Sequence, residues 1–284
     1  MATFEFLRLS LSIPTLGKLA LDEQRREPNT TRKDFLAEAF SSRRDFFYSG
    51  RLFTFMPGPP ETQGPDYFTG YIGKPVEEMV NAGPEQMFAL TASKHYRASF
   101  VAIDTRPDQQ VVAFEKRADV GSAQRILEAM MEAFVRERQS LSWHTDAEFL
   151  SSAKDFWSAA REYEGRITEI SFEFFPPNGL EGFEKFKKFD KLAKQQANGQ
   201  SSEYSIKNPD GAIKPSGEFV EEAVEYASEG PGRVQMKEGR KVLFSSRQAR
   251  KTKDAPEQLM PRQGEGSKIL GMIGWLFGTK PHGG

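Results

Sequence analysis

Residues 97–116 read Arg97-Ala-Ser-Phe-Val-Ala-Ile-Asp-Thr-Arg-Pro-Asp-Gln-Gln-Val-Val-Ala-Phe-Glu-Lys116, and this stretch points to the class of fold that we expect. Two short runs rich in Val, Ala and Phe flank a polar segment, Asp104 to Asp108, that contains Pro107. Apolar runs on either side of a proline-containing turn are typical of a β-hairpin. We therefore predict paired strands over 97–103 and 111–116.

Elements on both sides of this hairpin follow from the same kind of pattern. Alternation predicts a half-buried strand over residues 4–13. The remaining predictions of this half are a helix over 31–40, strands over 51–56 and 67–72, a helix over 121–138, and a helix from a cap at Thr145 or Asp146 to about Glu164. Residues 75–94 show no clear period.

A second unit begins at the alternating strand 166–175. After it we predict a lysine-rich helix over 181–196, a strand over 203–207, a helix over 216–228 and a hairpin of 234–237 with 241–244. The order is β-α-β-α-β-β, which indicates a small sheet with helices packed on one face.

The chain of 284 residues is long enough for two such units. We predict an α+β fold with mixed or antiparallel sheets, helices packed on them, and two sub-domains. The predicted divisions are an N-terminal α+β domain over 1–164, the β-α-β-α-β-β domain over 165–245, a flexible linker over 246–268 and an apolar tail over 269–284.

Residue usage argues against most enzyme classes. The chain has no cysteine and three histidines, so thiol nucleophiles are excluded and a histidine-based metal site is poorly supplied. Asp108 with Glu115-Lys116 resembles the acids and lysine of a restriction-type nuclease, but the lysine stands one residue too early. His144 has no serine or aspartate partner at a recognisable spacing. We expect no catalytic residue, metal or cofactor, and favour a protein that is not an enzyme.

Charge is distributed unevenly along the chain. From Pro231 to the end there are eleven Lys/Arg and four acids, a net +7, whereas the remaining residues carry −8. A basic segment of this kind favours contact with a polyanion through phosphate neutralisation, although a solvated face remains the alternative. The predicted nucleic-acid-binding residues are Lys185, Lys187, Lys188, Lys191, Arg240, Lys241, Arg247, Arg250, Lys251 and Lys253.

An apolar run of nine residues, 269–277, follows the predicted linker. It is too short to span a bilayer. Three alternatives stay open: it docks back on the protein, it binds a partner's groove, or it inserts shallowly at a membrane interface with Trp275 as anchor. The predicted partner- or membrane-docking residues are Ile269, Leu270, Ile273, Trp275, Leu276 and Phe277.

The N-terminal residues bear on the cellular location of the protein. Met1 to Phe6 carry an early acid and no basic segment before an apolar run, so they do not look like a secretory signal. Together with the absence of cysteine, this predicts a cytoplasmic protein, with membrane association through a partner as an alternative.

Three stretches of sequence carry a family resemblance. They are Gly70-Tyr-Ile-Gly-Lys74; Tyr96 to Asp104 with Val112 to Arg117; and Ile170-Ser-Phe-Glu-Phe-Phe-Pro-Pro-Asn178 followed by Val224 to Gly232. Their order resembles an uncharacterised bacterial family that is similar to phage-exclusion and defence proteins of the RexA and Kiwa KwaB type. The resemblance implies DNA or nucleoprotein binding in antiphage defence, with a second defence protein or a membrane as a further partner. It implies no active-site residues.

Three functional hypotheses therefore stand. In the preferred hypothesis, the protein is a non-enzymatic component of a bacterial antiphage defence system. It binds nucleic acid, with DNA favoured over RNA, without sequence specificity, and it acts as a homo-oligomer. The second is a protein-interaction or membrane-docking adaptor anchored by residues 269–277. The third is an effector nuclease whose acids converge only in three dimensions.

Overall fold

The computed structural model describes residues 2–12, 30–106, 109–138, 143–174, 202–211, 213–230, 232–260 and 266–278. Within them lie five helices and twelve strands in two antiparallel sheets, so the fold is α+β. The strands are β1 (Ala2–Ser12), β2 (Arg44–Tyr48), β3 (Arg51–Pro57), β4 (Tyr67–Asn81), β5 (Leu90–Asp104), β6 (Val111–Glu115), β7 (His144–Phe149), β8 (Glu169–Phe174), β9 (Ser202–Lys207), β10 (Gly232–Glu238), β11 (Lys241–Ser245) and β12 (Thr252–Ala255). The helices are α1 (Arg32–Ser41), α2 (Ala123–Arg138), α3 (Ala153–Glu162), α4 (Glu218–Ser228) and α5 (Gly266–Phe277).

The predicted hairpin lies in the middle of the larger sheet as β5 and β6, paired from Val101↔Phe114 to Asp104↔Val111. The strand order of this sheet is β12-β1-β6-β5-β4-β3-β2, and β7 also pairs with β1. Strand β6 occupies one edge of β1, while β12 and β7 occupy successive stretches of the other edge.

Strand β1 is buried on both faces, whereas its alternation predicts one solvated face. Leu7, Leu9 and Leu11 pack into a core with α1 and α2, on what we call the α2 face of the larger sheet. Phe4 and Phe6 point to the opposite face, the α5 face, where they pack against α5. The second face is covered by a helix more than 250 positions along the chain, which local alternation cannot report.

The smaller sheet has the strand order β11-β10-β8-β9, and α3 and α4 contribute to the core on one of its faces. The helix predicted to begin at Thr145 or Asp146 is wrong at its start. Residues 144–149 form β7 on the edge of β1, and α3 begins after the Ser152 cap, whose hydroxyl accepts the Asp155 N–H. Helix α3 packs its Phe156 and Ala160 into the core of the smaller sheet, so this core starts before the predicted division at 164/165.

Within the linker predicted over 246–268, the described residues 246–260 and 266–268 include regular structure, although their polar composition indicates none. Strand β12 pairs antiparallel with β1 from Ala2↔Ala255 to Glu5↔Thr252, and Ser151 bridges to Arg250. A four-residue edge strand is held by backbone hydrogen bonds and needs little apolar periodicity. The chain thus returns from the smaller sheet to the larger one before α5 begins.

Strands β4 and β5 run through residues 75–94, where the sequence pattern is ambiguous. They pair over fifteen residues each, from Tyr67↔Asp104 to Asn81↔Leu90. The predicted lysine-rich helix over 181–196 lies outside the described residues.

Candidate functional site

The smaller sheet has one polar face, which we call the open face. Alternate residues of β8 and β10, such as Ile170, Phe172 and Met236, point into the core, so the intervening residues face the other way. The described side chains of the open face are Glu169, Ser171, Glu173, Glu203, Ser205, Lys207, Arg233, Gln235, Lys237, Val242 and Ser245. The described helices that pack on this sheet lie on its other side.

Cations gather at one end of the open face. Glu169 is opposite Lys207 on one neighbouring strand and opposite Lys237 on the other. Its Oε1 lies 3.9 Å from the Lys207 Nζ and 3.5 Å from the Lys237 Nζ. The antiparallel register therefore places two lysines around one carboxylate.

The β10–β11 turn adds to the same end. Arg166 donates from Nε and Nη2 to the two carboxylate oxygens of Glu238, at 3.0 and 2.6 Å. Arg240 and Lys241 follow in the exposed turn, with Lys241 opposite Glu238. We call the five cations Arg166, Lys207, Lys237, Arg240 and Lys241 the basic end; the acids that act on them are Glu169, Glu238 and, through its charge on Arg166, Glu162.

Electrostatics favour the charged forms of Arg166 and Glu238. The hydrogen bonds and charge of Arg166 hold the pKa of Glu238 below its ordinary value, and Glu238 in turn raises the pKa of Arg166. Both side chains are at the surface, so the pair adds little to stability. Five cations against three acids leave an excess positive charge at this end of the sheet.

The other end of the open face is a joint between the two sheets. Arg233 on β10 donates from Nη1 to Glu173 at 3.0 Å and forms an ion pair with Glu148 on β7. Burial raises the pKa of Glu148, while Arg233 works against that shift. The main chain also joins the sheets here, since Ser151 N–H donates to the Ser228 carbonyl.

The structure separates the predicted nucleic-acid-binding residues into groups. Arg240, Lys241, Arg247 and Lys251 are exposed. Arg250 forms an ion pair with Glu5 at 3.1 Å and lies 3.8 Å from the centre of the Phe149 ring. Four further predicted residues, Lys185, Lys187, Lys188 and Lys191, lie outside the described residues.

Lys253 is engaged with α5 rather than presented to solvent. Its Nζ lies 4.1 Å from the centre of the Trp275 ring and donates to the Trp275 carbonyl. Burial lowers the pKa of Lys253, and the charge of Lys251 adds to that effect. Through these contacts, Arg250 and Lys253 fix the segment that includes β12 against the larger sheet and α5.

The apolar run 269–277 docks back on the protein, as the first of its three alternatives states. Ile269, Ile273 and Leu276 are buried against Phe4, Phe6 and their neighbours, so they are not a free docking surface. Trp275 and Phe277 are partly buried, and Leu270 alone of the six predicted docking residues is exposed. No helix of the described residues is long and apolar enough to cross a bilayer.

The near-matches to catalytic patterns form no reaction centre in the part of the chain that the structure describes. Glu115 accepts the Phe100 N–H, while Lys116 lies 3.6 Å from Glu5. His144 Nε2 lies 3.5 Å from Asp146 on the exposed side of β7. Asp108 is outside the described residues. The described side chains include no group of three or more His, Asp or Glu that could hold a metal ion.

Three members of the basic end, Arg166, Lys207 and Lys237, are absent from the residues predicted from sequence. Lys207 and Lys237 are at the ends of short predicted strands, and their alternation with apolar residues indicates which face they share. The strand register that brings them to Glu169 is tertiary information.

Comparison of the chain with protein-family models, with curated proteins and with solved structures finds no significant match.

Proposed function

We propose that the protein is a non-enzymatic component of a bacterial antiphage defence system. In this proposal it binds nucleic acid, with DNA favoured over RNA, through phosphate contacts at the basic end. The observation that carries this proposal is the excess of five cations over three carboxylates at one end of the smaller sheet. The setting in antiphage defence rests on the sequence resemblance.

The side chains of the open face favour binding to the phosphate backbone of nucleic acid without recognition of the bases. Single-stranded nucleic acid is held by aromatic side chains on which bases stack. The open face carries serine, glutamine, charged residues and Val242, with no aromatic side chain among its described positions. Lysine and arginine contacts to phosphate supply affinity and position but carry no sequence information.

The test is a salt titration of duplex DNA binding by fluorescence anisotropy. If all five cations contact phosphates, log K against log salt falls with a slope of about −4.5. The double variant Arg240→Glu/Lys241→Glu is expected to bind about tenfold more weakly, with a slope less negative by about 2.

The matched control makes the same change in net charge at two arginines away from the basic end, one on β3 of the larger sheet and one on α2. Arg51 and Arg136 are exposed there, so Arg51→Glu/Arg136→Glu should leave both affinity and slope near the wild-type values. Absence of DNA binding at low salt, or equal loss in the two double variants, would contradict the proposal. Plating efficiency of phage on cells that carry the Arg240→Glu/Lys241→Glu variant tests the defence setting.

No contact among the described residues favours either of the two alternative functions, the adaptor or the nuclease. The adaptor hypothesis, with residues 269–277 as anchor, needs Ile269, Ile273 and Leu276 exposed, and they are core residues. The nuclease hypothesis needs acids that converge, and no group of three or more possible metal ligands is found among the described residues.

A further inference from the structure

Strands β4 and β5 continue well beyond the larger sheet. Strand β3 pairs with β4 only between Gly70 and Gly73, and β6 pairs with β5 only from Val101 to Asp104. From Lys74↔Arg97 to Asn81↔Leu90, eight consecutive pairs have no further strand beside them among the described residues. We call residues 74–97 the arm; its paired part is about 25 Å long at the usual rise per residue.

The α5 face continues from the sheet onto the arm. Tyr71 and Phe100 contact each other on the α5 face, at a ring-centre distance of 5.4 Å. Counting by twos from them, Tyr96, Met79 and Leu90 lie on the same face. Helix α5 covers this face over β1, β5 and β6, through contacts with Phe4, Phe100 and Ala113, which leaves the arm uncovered by any described helix.

Apolar side chains line the uncovered part of the face. At the base of the arm, Phe47 is opposite Leu52, and Pro75 is opposite Tyr96. By register the exposed apolar residues of this face are Phe47, Leu52, Met56, Met79, Leu90 and Tyr96; together with Met87 and Phe88, which lie in the turn at the tip of the arm, we call them the apolar strip. Their exposed fractions run from 40% for Leu52 to 89% for Met87.

The tip of the arm presents its two largest side chains in an unusual backbone conformation. Met87 and Phe88 have φ values of 49° and 55°, in the left-handed region that bulky residues rarely adopt. Hydrogen bonds from Met87 N–H to the Pro84 carbonyl and from Ala82 N–H to the Ala89 carbonyl close this turn. Strain of this kind persists where the surrounding structure enforces it, and it clusters at functional positions.

The size of the strip fits a dimer interface. With large side chains of about 150–250 Å² each, its exposed apolar surface is on the order of 1,000 Å² per copy. The largest apolar patch on a typical monomer is about 300–600 Å², whereas a stable protein–protein interface buries about 800 Å² on each partner. A two-stranded ribbon is also only marginally stable by itself in water, and packing of one face against another layer relieves this.

Charge on the arm indicates which partner fits. On the α5 face of the arm, the charged residues are Glu77 and Lys94, which are directly opposite each other. A two-fold axis places the same surface on both partners, so Glu77 of one copy can face Lys94 of the other. The strip is therefore complementary to itself in both polarity and charge.

From these observations we infer that the apolar strip is a self-association surface, occupied by the same surface of a second copy of this chain. The arm supplies the length of the interface, and Phe47, Leu52 and Met56 supply its base. This inference is independent of nucleic-acid binding, because the basic end lies on the other sheet.

Sedimentation velocity of the full chain at tens of micromolar tests the inference. The wild-type chain should sediment as a dimer, and Met87→Glu should raise the dimer dissociation constant about tenfold or more. Met87 is 89% exposed, so this change leaves folding of the single chain intact. Thr91→Glu is the matched control, because Thr91 is exposed on the opposite face of the same arm.

A second measurement uses charge exchange. Chains with Glu77→Lys and chains with Lys94→Glu should each dimerise more weakly alone, and when mixed they should form mixed dimers in excess of random pairing. A monomeric wild-type chain, equal effects of Met87→Glu and Thr91→Glu, or random pairing of the two charge variants would overturn the inference. If the wild-type chain is monomeric, co-sedimentation with phosphatidylcholine vesicles would show lipid as the occupant instead.

Discussion

Glu115 is an acid at the end of β6 whose environment disfavours its charge. It is half-buried on the α5 face, where burial raises its pKa and the hydrogen bond from Phe100 N–H, at 2.9 Å, opposes the shift. A folded-state pKa above the unfolded value means that the folded protein binds the proton more tightly. Stability from this group is therefore present at low pH and is lost as pH rises through the raised pKa.

We expect Glu115→Gln to raise the melting temperature at neutral pH, because glutamine keeps an acceptor for Phe100 N–H and carries no charge. The difference from wild type should shrink as pH falls through the pKa of Glu115, where the wild-type carboxylate becomes protonated. Thermal unfolding over a range of pH measures this. Glu257→Gln, at an exposed position, serves as control. A variant less stable than wild type at all pH values would contradict the expectation.

At the scale of an element, α5 shows how a short apolar run becomes part of the core. Its buried residues Ile269, Met272, Ile273 and Leu276 follow the i, i+3, i+4, i+7 spacing of an amphipathic helix. That spacing was present in the sequence. Glycines at 271 and 274 and the polar residues before the helix weaken the pattern, so the surface that it covers became evident only in the folded chain.

We expect Ile273→Ala to lower the free energy of unfolding by about 2–4 kcal/mol, since it removes buried methyl groups and leaves a cavity under α5. Leu270→Ala, on the exposed side of the same helix, should cost about 1 kcal/mol or less. Urea unfolding followed by tryptophan fluorescence compares the two. Similar losses in both variants would show that α5 does not pack as described.

At the scale of the whole molecule, the two sheets are joined by charge as well as by backbone. Arg233 on the smaller sheet is the cation for Glu148 on the larger one, and the Glu148 side chain is only 16% exposed. Removal of one partner from a largely buried ion pair leaves the other charge desolvated without compensation. The joint is therefore a place where a single substitution affects both sheets.

We expect Arg233→Ala to lower the free energy of unfolding by about 2 kcal/mol at neutral pH. The loss should become smaller in acid, because the pKa of Glu148 is already raised by burial and its protonation removes the uncompensated charge. The double variant Arg233→Met/Glu148→Met should recover most of the stability. Arg136→Ala, whose partner Glu132 is exposed, should change the free energy by less than about 0.5 kcal/mol.

Sequence pattern by itself determined the class of fold, the β5–β6 hairpin and helix α2. These features depend on alternation or on helical spacing within about twenty residues, and both are local properties of the chain. Local charge density also singled out Arg240 and Lys241 as candidate phosphate contacts, and the structure has both exposed in the β10–β11 turn.

Only the tertiary structure decided which surfaces are covered and which are left open. Arg250 and Lys253 face Glu5 and Trp275, and α5 covers Phe4 and Phe6, through contacts between residues far apart in the chain. Register between β8, β9 and β10 brings Lys207 and Lys237 to Glu169, and the extension of β4 and β5 creates the arm. Strand pairing and burial join distant segments, so no local period of the sequence encodes the surfaces that result.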